Sequence, residues 1–502
     1  MISLLMIIPI LGSIFIYIQR KNISAQKIAI LSIITQIIIE LFITLKFFII
    51  FNDNICLTEK FTWLKFNNLK NDFCINYYVG IDGINISMII LSSLITLVSV
   101  ITSYNVKKYN TLYYILILIT NSLLIGYFTA LDMFLLYIYY EIITFSLYFL
   151  ILLWSNTKNR YMTINFIIYN VLSSLILMTS IIITYYLFMH DNTIQYNGFI
   201  NLSELYNLNE NCNKIYTKII FFLIFISFAI KSSLVPFHGW LPQVHVESYN
   251  SVSIILSGII LKMGIYGMLR TSYCFLYYEI LEYQNILALF GLITILYGVL
   301  KSFIYKDLKK IIAYYSISHM GFNLLGIISY TYEGVLGSIF HLFSYGILTS
   351  ILFIFSNILY DKVGSRQINH FSGLMSIMPK YTYTSFFIFF AYIGMPGFSS
   401  FISELLIIVG LYHNNNNILK YISFISILGL FLNALSFILI IKKIFFNNLY
   451  LKNKQNWKQK LTSNINQEIY LIIFLLLILL LIGIFPNILI NISDSTIKKY
   501  IS

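Results

Sequence analysis

Long apolar runs, separated by short clusters of Asn, Ser and Lys, recur from one end of the chain to the other. Each run holds about 18 to 25 residues, enough for a helix to cross a hydrocarbon core about 30 Å thick. The pattern predicts an all-α polytopic membrane protein with about fourteen spans. They fall at 2–18, 28–51, 84–103, 111–130, 132–153, 161–188, 216–241, 251–272, 284–304, 309–330, 335–360, 381–411, 420–446 and 468–490. Longer connections fall at 52–83, 189–215, 361–380 and 447–467, and the run Asn414 to Asn417 marks the turn between spans 12 and 13. The first run has no basic leader and no small-residue cleavage site, and a second span follows closely. It reads as an uncleaved helix rather than a signal peptide.

Two spans are unusually long and carry breakers, Pro236 in the seventh and Gly394-Met395-Pro396-Gly397 in the twelfth. Proline removes a backbone donor and glycine loosens the helix, so both spans are expected to break. They occupy corresponding places in two five-helix units, helices 4–8 and 9–13, and an odd helix number makes such units inverted relative to each other. Inverted repeats with broken helices at mid-membrane are a transporter pattern. The expected organisation is residues 1–109 (helices 1–3 and an outer loop), 110–272 (first repeat), 283–446 (second repeat) and 447–502 (an inner loop and helix 14).

Charge sets the orientation. Loops after odd-numbered spans hold nineteen Lys and Arg, among them Lys107, Lys108, Lys158, Arg160, Lys306, Lys309, Lys310 and Arg366, against seven after even-numbered spans. The odd loops therefore face the cytoplasm or matrix. Composition agrees with a membrane protein, at 59% hydrophobic and 10% charged residues; a soluble chain carries about a quarter charged residues. The net charge of +13 reads as topology signal rather than a nucleic-acid surface, because no basic stripe with interleaved aromatics occurs. Over-use of Ile, Asn, Lys, Phe and Tyr fits AT-rich codons and an organelle genome, a bias that some bacteria share. The four cysteines, Cys56, Cys74, Cys212 and Cys274, form no CxxC pair, which argues against zinc or iron–sulfur ligation. Cys56 and Cys74 share one loop and are candidates for a disulfide.

Ionisable residues inside the spans are the candidate chemistry. A charge at bilayer depth costs several kcal/mol and persists where it pairs or carries ions. At about 1.5 Å per residue, Glu141 lies roughly 14 Å into span 5, and Lys262 and His319 lie near 15 Å in spans 8 and 10. Lys231 falls late in span 7, just before Pro236. Together they form a polar belt near the midplane. The structural alternatives are a static Glu141–Lys231 pair, a snorkelling Lys262 and a helix–helix hydrogen bond at His319. Asp82 and Asp132 stand at span boundaries as helix caps, and His190, His370 and His413 fall in loops.

Five segments carry a family resemblance: LDMFLLYIYYEIITFSLYFLIL (131–152), FAIKSSLVPFHGWLPQVH (228–245), SGIILKMGIYGMLR (257–270), KDLKKIIAYYSISHMGFN (306–323) and IGMPGFSSFISELL (393–406). Together they resemble the antiporter-like subunits of respiratory complex I and of Mrp-type cation/proton antiporters, over roughly residues 110–445. Glu404, where related subunits usually have lysine, points to the subunit 4 type (subunit M in bacteria). The resemblance implies a proton-translocating membrane-arm subunit of NADH:ubiquinone oxidoreductase, or alternatively a cation/proton antiporter subunit. It implies Glu141 and Lys231 as the ion pair of a first half-channel, Lys262 and His319 as relays, and Glu404 as the terminal group. His238 resembles a residue of proton uptake, and His341 the family's helix 11 histidine. The family often has a second histidine four residues later, where this chain has Tyr345, and the stretch Glu247 to Val252 lacks the family's usual proline and glycine. By the same resemblance the chain binds no metal or cofactor. NADH, FMN, iron–sulfur clusters and ubiquinone belong to partner subunits, its neighbours are the antiporter-like subunits 2 and 5 and membrane lipid, and its place is the mitochondrial inner membrane or, failing that, a bacterial plasma membrane. No GxGxxG or P-loop pattern occurs.

Overall fold

Among the described residues of the computed structural model, eleven helices are long and apolar enough to cross a membrane. The other three predicted spans are a 17-residue helix, α1 (Ile2–Ile18), and two spans that are each split in two. The structure describes residues 2–19, 24–50, 56–66, 73–106, 108–155, 160–190, 214–275, 277–376, 378–446 and 466–501. Cys212 and several of the loop basic residues (Arg20, Lys21, Lys70, Lys107, Lys158, Lys452, Lys454, Lys458, Lys460) lie outside them.

The chain packs as two units, residues 1–232, 263–284 and 491–502 in one, and residues 233–262 and 285–490 in the other. The first contains α1, α2 (Ala25–Ile50), α3 (Gly83–Thr102), α4 (Asn110–Thr129), α5 (Met133–Trp154), α6 (Arg160–His190) and α7 (Lys214–Lys231). Their starts are chemically marked. Asp82 caps α3 through the amides of Ile84 and Asn85, while its own amide bonds Asn85 Oδ1 at 2.8 Å, a reciprocal capping box. Asp132 caps α5 through the amides of Phe134 and Leu135 at 2.8 and 3.0 Å. Asp82 also forms a buried ion pair with Arg270. Within the spans, Ser and Thr hydroxyls are satisfied by carbonyls three or four residues back, as at Ser92, Thr96, Ser99 and Thr102. This is how hydroxyls are accommodated away from water.

Between α2 and α3 lies an antiparallel hairpin, β1 (Cys56–Phe66) and β2 (Phe73–Ile81), where the sequence pattern indicated only a loop. Its register places Cys56 opposite Ile81 and Cys74 opposite Lys65. At about 3.3 Å per residue the two cysteines stand at opposite ends of the ladder, far beyond disulfide reach. The candidate disulfide is therefore excluded. Glu59 of β1 accepts from the amides of Ile2 and Ser3 at 3.0 and 3.3 Å, occupying donors that the first turn of α1 leaves free.

The second unit contains α8 (Trp240–Glu247), α9 (Asn250–Ile255) and a π-helical turn (Leu256–Ile260) that leads into α10 (Leu261–Phe275). It continues with most of α11 (Tyr277–Ile304), then α12 (Leu308–Ile328), α13 (Tyr332–Val363), α14 (Pro379–Ile393), α15 (Ser399–His413), α16 (Asn417–Ile441) and α17 (Asn466–Ile484). The breaks fall at the marked residues. α7 stops at Lys231 and helix resumes at Trp240, with Pro236 in the gap. α14 stops at Ile393, Gly394 and Gly397 take left-handed φ of 73° and 106°, and α15 begins at Ser399. A short terminal helix, α18 (Asn487–Ile501), follows the last span, beyond the fourteen expected.

Candidate proton-relay site

In the first unit, Lys231 is the last residue of α7 and fully buried. A helix C-terminus carries unpaired carbonyls and favours a cation. Its Nζ lies 4.2 Å from the ring centroid of Tyr140 and has no hydrogen-bond partner among the described residues. Tyr140 is held by Ser173, hydroxyl to hydroxyl at 2.6 Å. Glu141 follows on the same helix, partly exposed, with a buried Oε2 that also lacks a partner. Among the described residues no salt bridge joins Glu141 to Lys231, although the carboxylate's charge acts on the ammonium. The pair expected from the sequence is a neighbourhood, and the direct contact of Lys231 is the Tyr140 ring.

A second polar group in this unit went unremarked in the sequence. Glu40 of α2 is buried at mid-span, where Gln36 donates to its Oε1 at 2.6 Å and the Ser93 hydroxyl to its Oε2 at 2.5 Å. Gln36 in turn accepts from Asn121 of α4 at 2.7 Å. The depth arithmetic used for Glu141 applies equally to Glu40 and was the available signal.

In the second unit, Lys262, His319, His341 and Glu404 come together around Tyr345. All five are buried. The Tyr345 hydroxyl donates to Glu404, and its ring stacks on His319 and His341 with centroids 3.8 and 4.1 Å apart. Lys262 Nζ donates to Ser257 O at 2.5 Å and to Tyr345 O and Thr349 Oγ1 at 3.5 Å each. His319 Nε2 meets the Tyr392 hydroxyl at 3.3 Å. The local sequence explains the geometry: His341 and Tyr345 are one turn apart on α13, and the α14–α15 break brings Glu404 to them. Glycine is favoured at 394 by its left-handed φ of 73°, and a Cβ there would also stand 2.6 Å from Glu404 Oε2, so the carboxylate would have to shift. Tyr392 was missed by sequence reasoning, because nothing distinguishes it among 41 tyrosines, and Tyr345 stood out only as the replacement of a family histidine, not as a member of the site. His238 is half-buried against Tyr297, centroids 4.6 Å apart, and among the described residues no hydrogen bond or ring contact ties it to this cluster.

The arrangement suits proton exchange. Hydroxyl and neutral imidazole both donate and accept, ammonium donates and carboxylate accepts, so adjacent members can pass a proton without separating large charges. His319, His341 and Glu404 also offer ligand atoms within 4.8 Å of one another. Bonds of about 2 Å to a tetrahedral ion need ligand atoms about 3.4 Å apart, so the three would have to close around an ion from their present stacking on Tyr345.

Residues 130–429 match the family described as "NADH:quinone oxidoreductase/Mrp antiporter, TM". The chain is 30% identical over 502 residues to a protein of Rickettsia bellii named NADH-quinone oxidoreductase subunit M, covering 98% of this chain and 96% of that one. It is 29% identical over 505 residues to a protein of Marchantia polymorpha named NADH-ubiquinone oxidoreductase chain 4, covering 100% of this chain and 97% of that one. Among solved structures, a chain of respiratory complex I from Thermus thermophilus superposes with a TM-score of 0.82 over 100% of both chains, at 20% identity.

Proposed function

The chain belongs to the NADH:quinone oxidoreductase/Mrp antiporter transmembrane family, and from that premise we propose that it is the proton-translocating subunit 4 of a respiratory NADH:ubiquinone oxidoreductase. NADH, FMN, iron–sulfur clusters and ubiquinone are held by partner subunits, and the flanking antiporter-like subunits 2 and 5 are its neighbours. The AT-biased composition favours a mitochondrial inner membrane. The observation that carries the reading is the buried cluster of Lys262, His319, His341, Tyr345 and Glu404, whose members are joined by hydrogen bonds and ring stacking.

In the first unit, Lys231 alternates between the Tyr140 ring and Glu141, and the carboxylate's position sets how firmly the lysine holds its proton. In the second unit the proton moves from Lys262 through the His319–Tyr345–His341 stack to Glu404, which releases it beside the α14–α15 break. Moving a charge against 100 mV takes about 2.3 kcal/mol, so redox chemistry in partner subunits supplies the drive.

Glu141→Gln tests the reading: the complex should assemble, with proton pumping and coupled NADH oxidation sharply reduced. Normal turnover and pumping would remove Glu141 from the mechanism. The family description also covers Mrp antiporters, and co-migration with a large NADH-oxidising assembly in native gels separates the two.

A further inference from the structure

The inner end of the second unit carries a column of hydroxyls that the relay above leaves unused. Ser248, Ser253 and Ser257 are fully buried where α8 passes through α9 into the π-helical turn. Ser248 and Ser253 meet hydroxyl to hydroxyl at 2.7 Å, and the Ser257 hydroxyl donates to Ser253 O at 2.9 Å. In the π-helical turn the Leu261 amide bonds Leu256 O in place of Ser257 O, and Lys262 Nζ takes the carbonyl so released. At the other end, the buried Lys309 donates to Ser248 O at 2.9 Å. The column thus runs from Lys309, in the first turn of α12 and on the inner side by the positive-inside count, to the mid-span lysine.

Serines at helical spacing are by themselves ordinary packing residues. Two further side chains separate this column from that reading. Glu247, beside Ser248 and 8% exposed, has an Oε2 without a partner among the described residues. Burial pushes its carboxyl above the usual value, against the opposing charge of Arg366. His245, two residues before Glu247 and fully buried, stacks on Phe353 at 4.7 Å; among the described residues neither ring nitrogen has a partner, and the charges of Lys309 and Lys262 both act on it. Buried polar atoms of this kind are satisfied by water.

We propose that Ser248, Ser253 and Ser257 form the proton-uptake route from the inner face to Lys262, with Glu247 as the collecting carboxylate at its mouth. A proton leaves the Glu247 carboxyl for a hydroxyl oxygen, that hydroxyl passes its own proton onward, and the last transfer converts the neutral Lys262 amine to ammonium. Each hydroxyl ends as it began, and water spans the remaining gaps. Lys309 is a positioning residue that holds the Ser248 turn.

This inference rests on the proton-translocation reading, so its test pairs variants of the intact complex in sealed membrane vesicles. Ser253→Ala should lower protons pumped per NADH oxidised several-fold and change the H2O/D2O rate ratio, while Ser253→Thr, which keeps a hydroxyl, restores both. If Ser253→Ala pumps like the parent while Lys262→Ala does not, the column is packing and the inference falls with the function intact. If Lys262→Ala also pumps like the parent, the translocation reading itself fails. Should Ser253→Ala not assemble, Ser248→Ala, outside the helices, carries the same expectation and the same refutation.

Discussion

Tyr345→Phe isolates the most specific contact in the second unit. The variant keeps the ring, and with it the stacking on His319 and His341 at 3.8 and 4.1 Å. It removes the one hydrogen bond that the described residues give Glu404. A hydrogen bond to a charged group is worth about 1.5 to 3 kcal/mol, so the carboxylate of Glu404 loses stabilisation equivalent to roughly a ten- to hundredfold change in population. That is comparable with the 2.3 kcal/mol or so needed to move one charge against 100 mV. The loss should therefore be felt most where the membrane is energised. The assay is NADH-driven acidification of vesicles together with NADH:quinone turnover, each measured with and without an uncoupler. Assembly should be normal, uncoupled turnover less affected, and pumping at high potential cut by about tenfold. Equal pumping by the variant and the parent at high potential would refute the role given to Tyr345, and loss of assembly would mean that the hydroxyl holds helices together instead.

Gly394→Ala places a Cβ against Glu404 Oε2 at a left-handed φ of 73°; with about 1–2 kcal/mol of backbone strain, pumping should fall more than complex abundance on native gels. Arg270→Ala leaves Asp82 buried and uncompensated, with both side chains at most 2% exposed in the parent. Breaking such a pair costs about 3–5 kcal/mol, and the expected outcome is reduced assembly, with residual complex pumping normally per NADH. Glu59 lies on the hairpin outside the spans. Partial burial opposes its ionisation, but hydrogen bonds from the start of α1 outweigh it and hold the carboxyl below 4.5. A lowered carboxyl contributes stability that is present above 4.5 and lost as pH falls through its folded value. Protection of the Ile2 and Ser3 amides against hydrogen exchange, taken relative to the intrinsic rate at each pH, should accordingly fall only on acidification below that point, and protection that does not change there would discard the contact.

What the chain discloses as sequence follows from which interactions are local. The spans were legible because each is a continuous apolar run, and both broken helices because proline and glycine act on their own backbone. The β1–β2 hairpin was not, since its residues sit between Asn-rich stretches where loop and strand signals overlap. Tyr345 was noticed only as the place where an expected histidine is absent. Its importance comes from three other helices, α12, α14 and α15, that deliver His319, Tyr392 and Glu404 to it. Periodicity within α13 carries no trace of that. Glu40 is the opposite case, a mid-span carboxyl visible by position alone.

The two buried mid-span lysines, Lys231 and Lys262, are held in different ways, and under the proposed function the difference gives them different work. Lys262 has three oxygen acceptors, Ser257 O, Tyr345 O and Thr349 Oγ1, from two helical segments. Each hydrogen bond to a charged group is worth about 1.5 to 3 kcal/mol when well formed, and two of these three are long. Among the described residues Lys231 has no hydrogen bond and a single cation–π contact, worth about 2 kcal/mol when desolvated. Its site lies at the C-terminal end of α7, and the next helix begins at Trp240. A side chain with one weak contact can swing toward Glu141 at small cost, whereas Lys262 must break several bonds at once. Under the proposed function, Lys231 would then be the member whose movement responds to a distant signal, and Lys262 the fixed stage that receives and hands on a proton. On this argument Tyr140→Leu, which removes the ring and keeps the apolar volume, should alter the timing of pumping more than its direction, and a substitution at Thr349 should do the reverse.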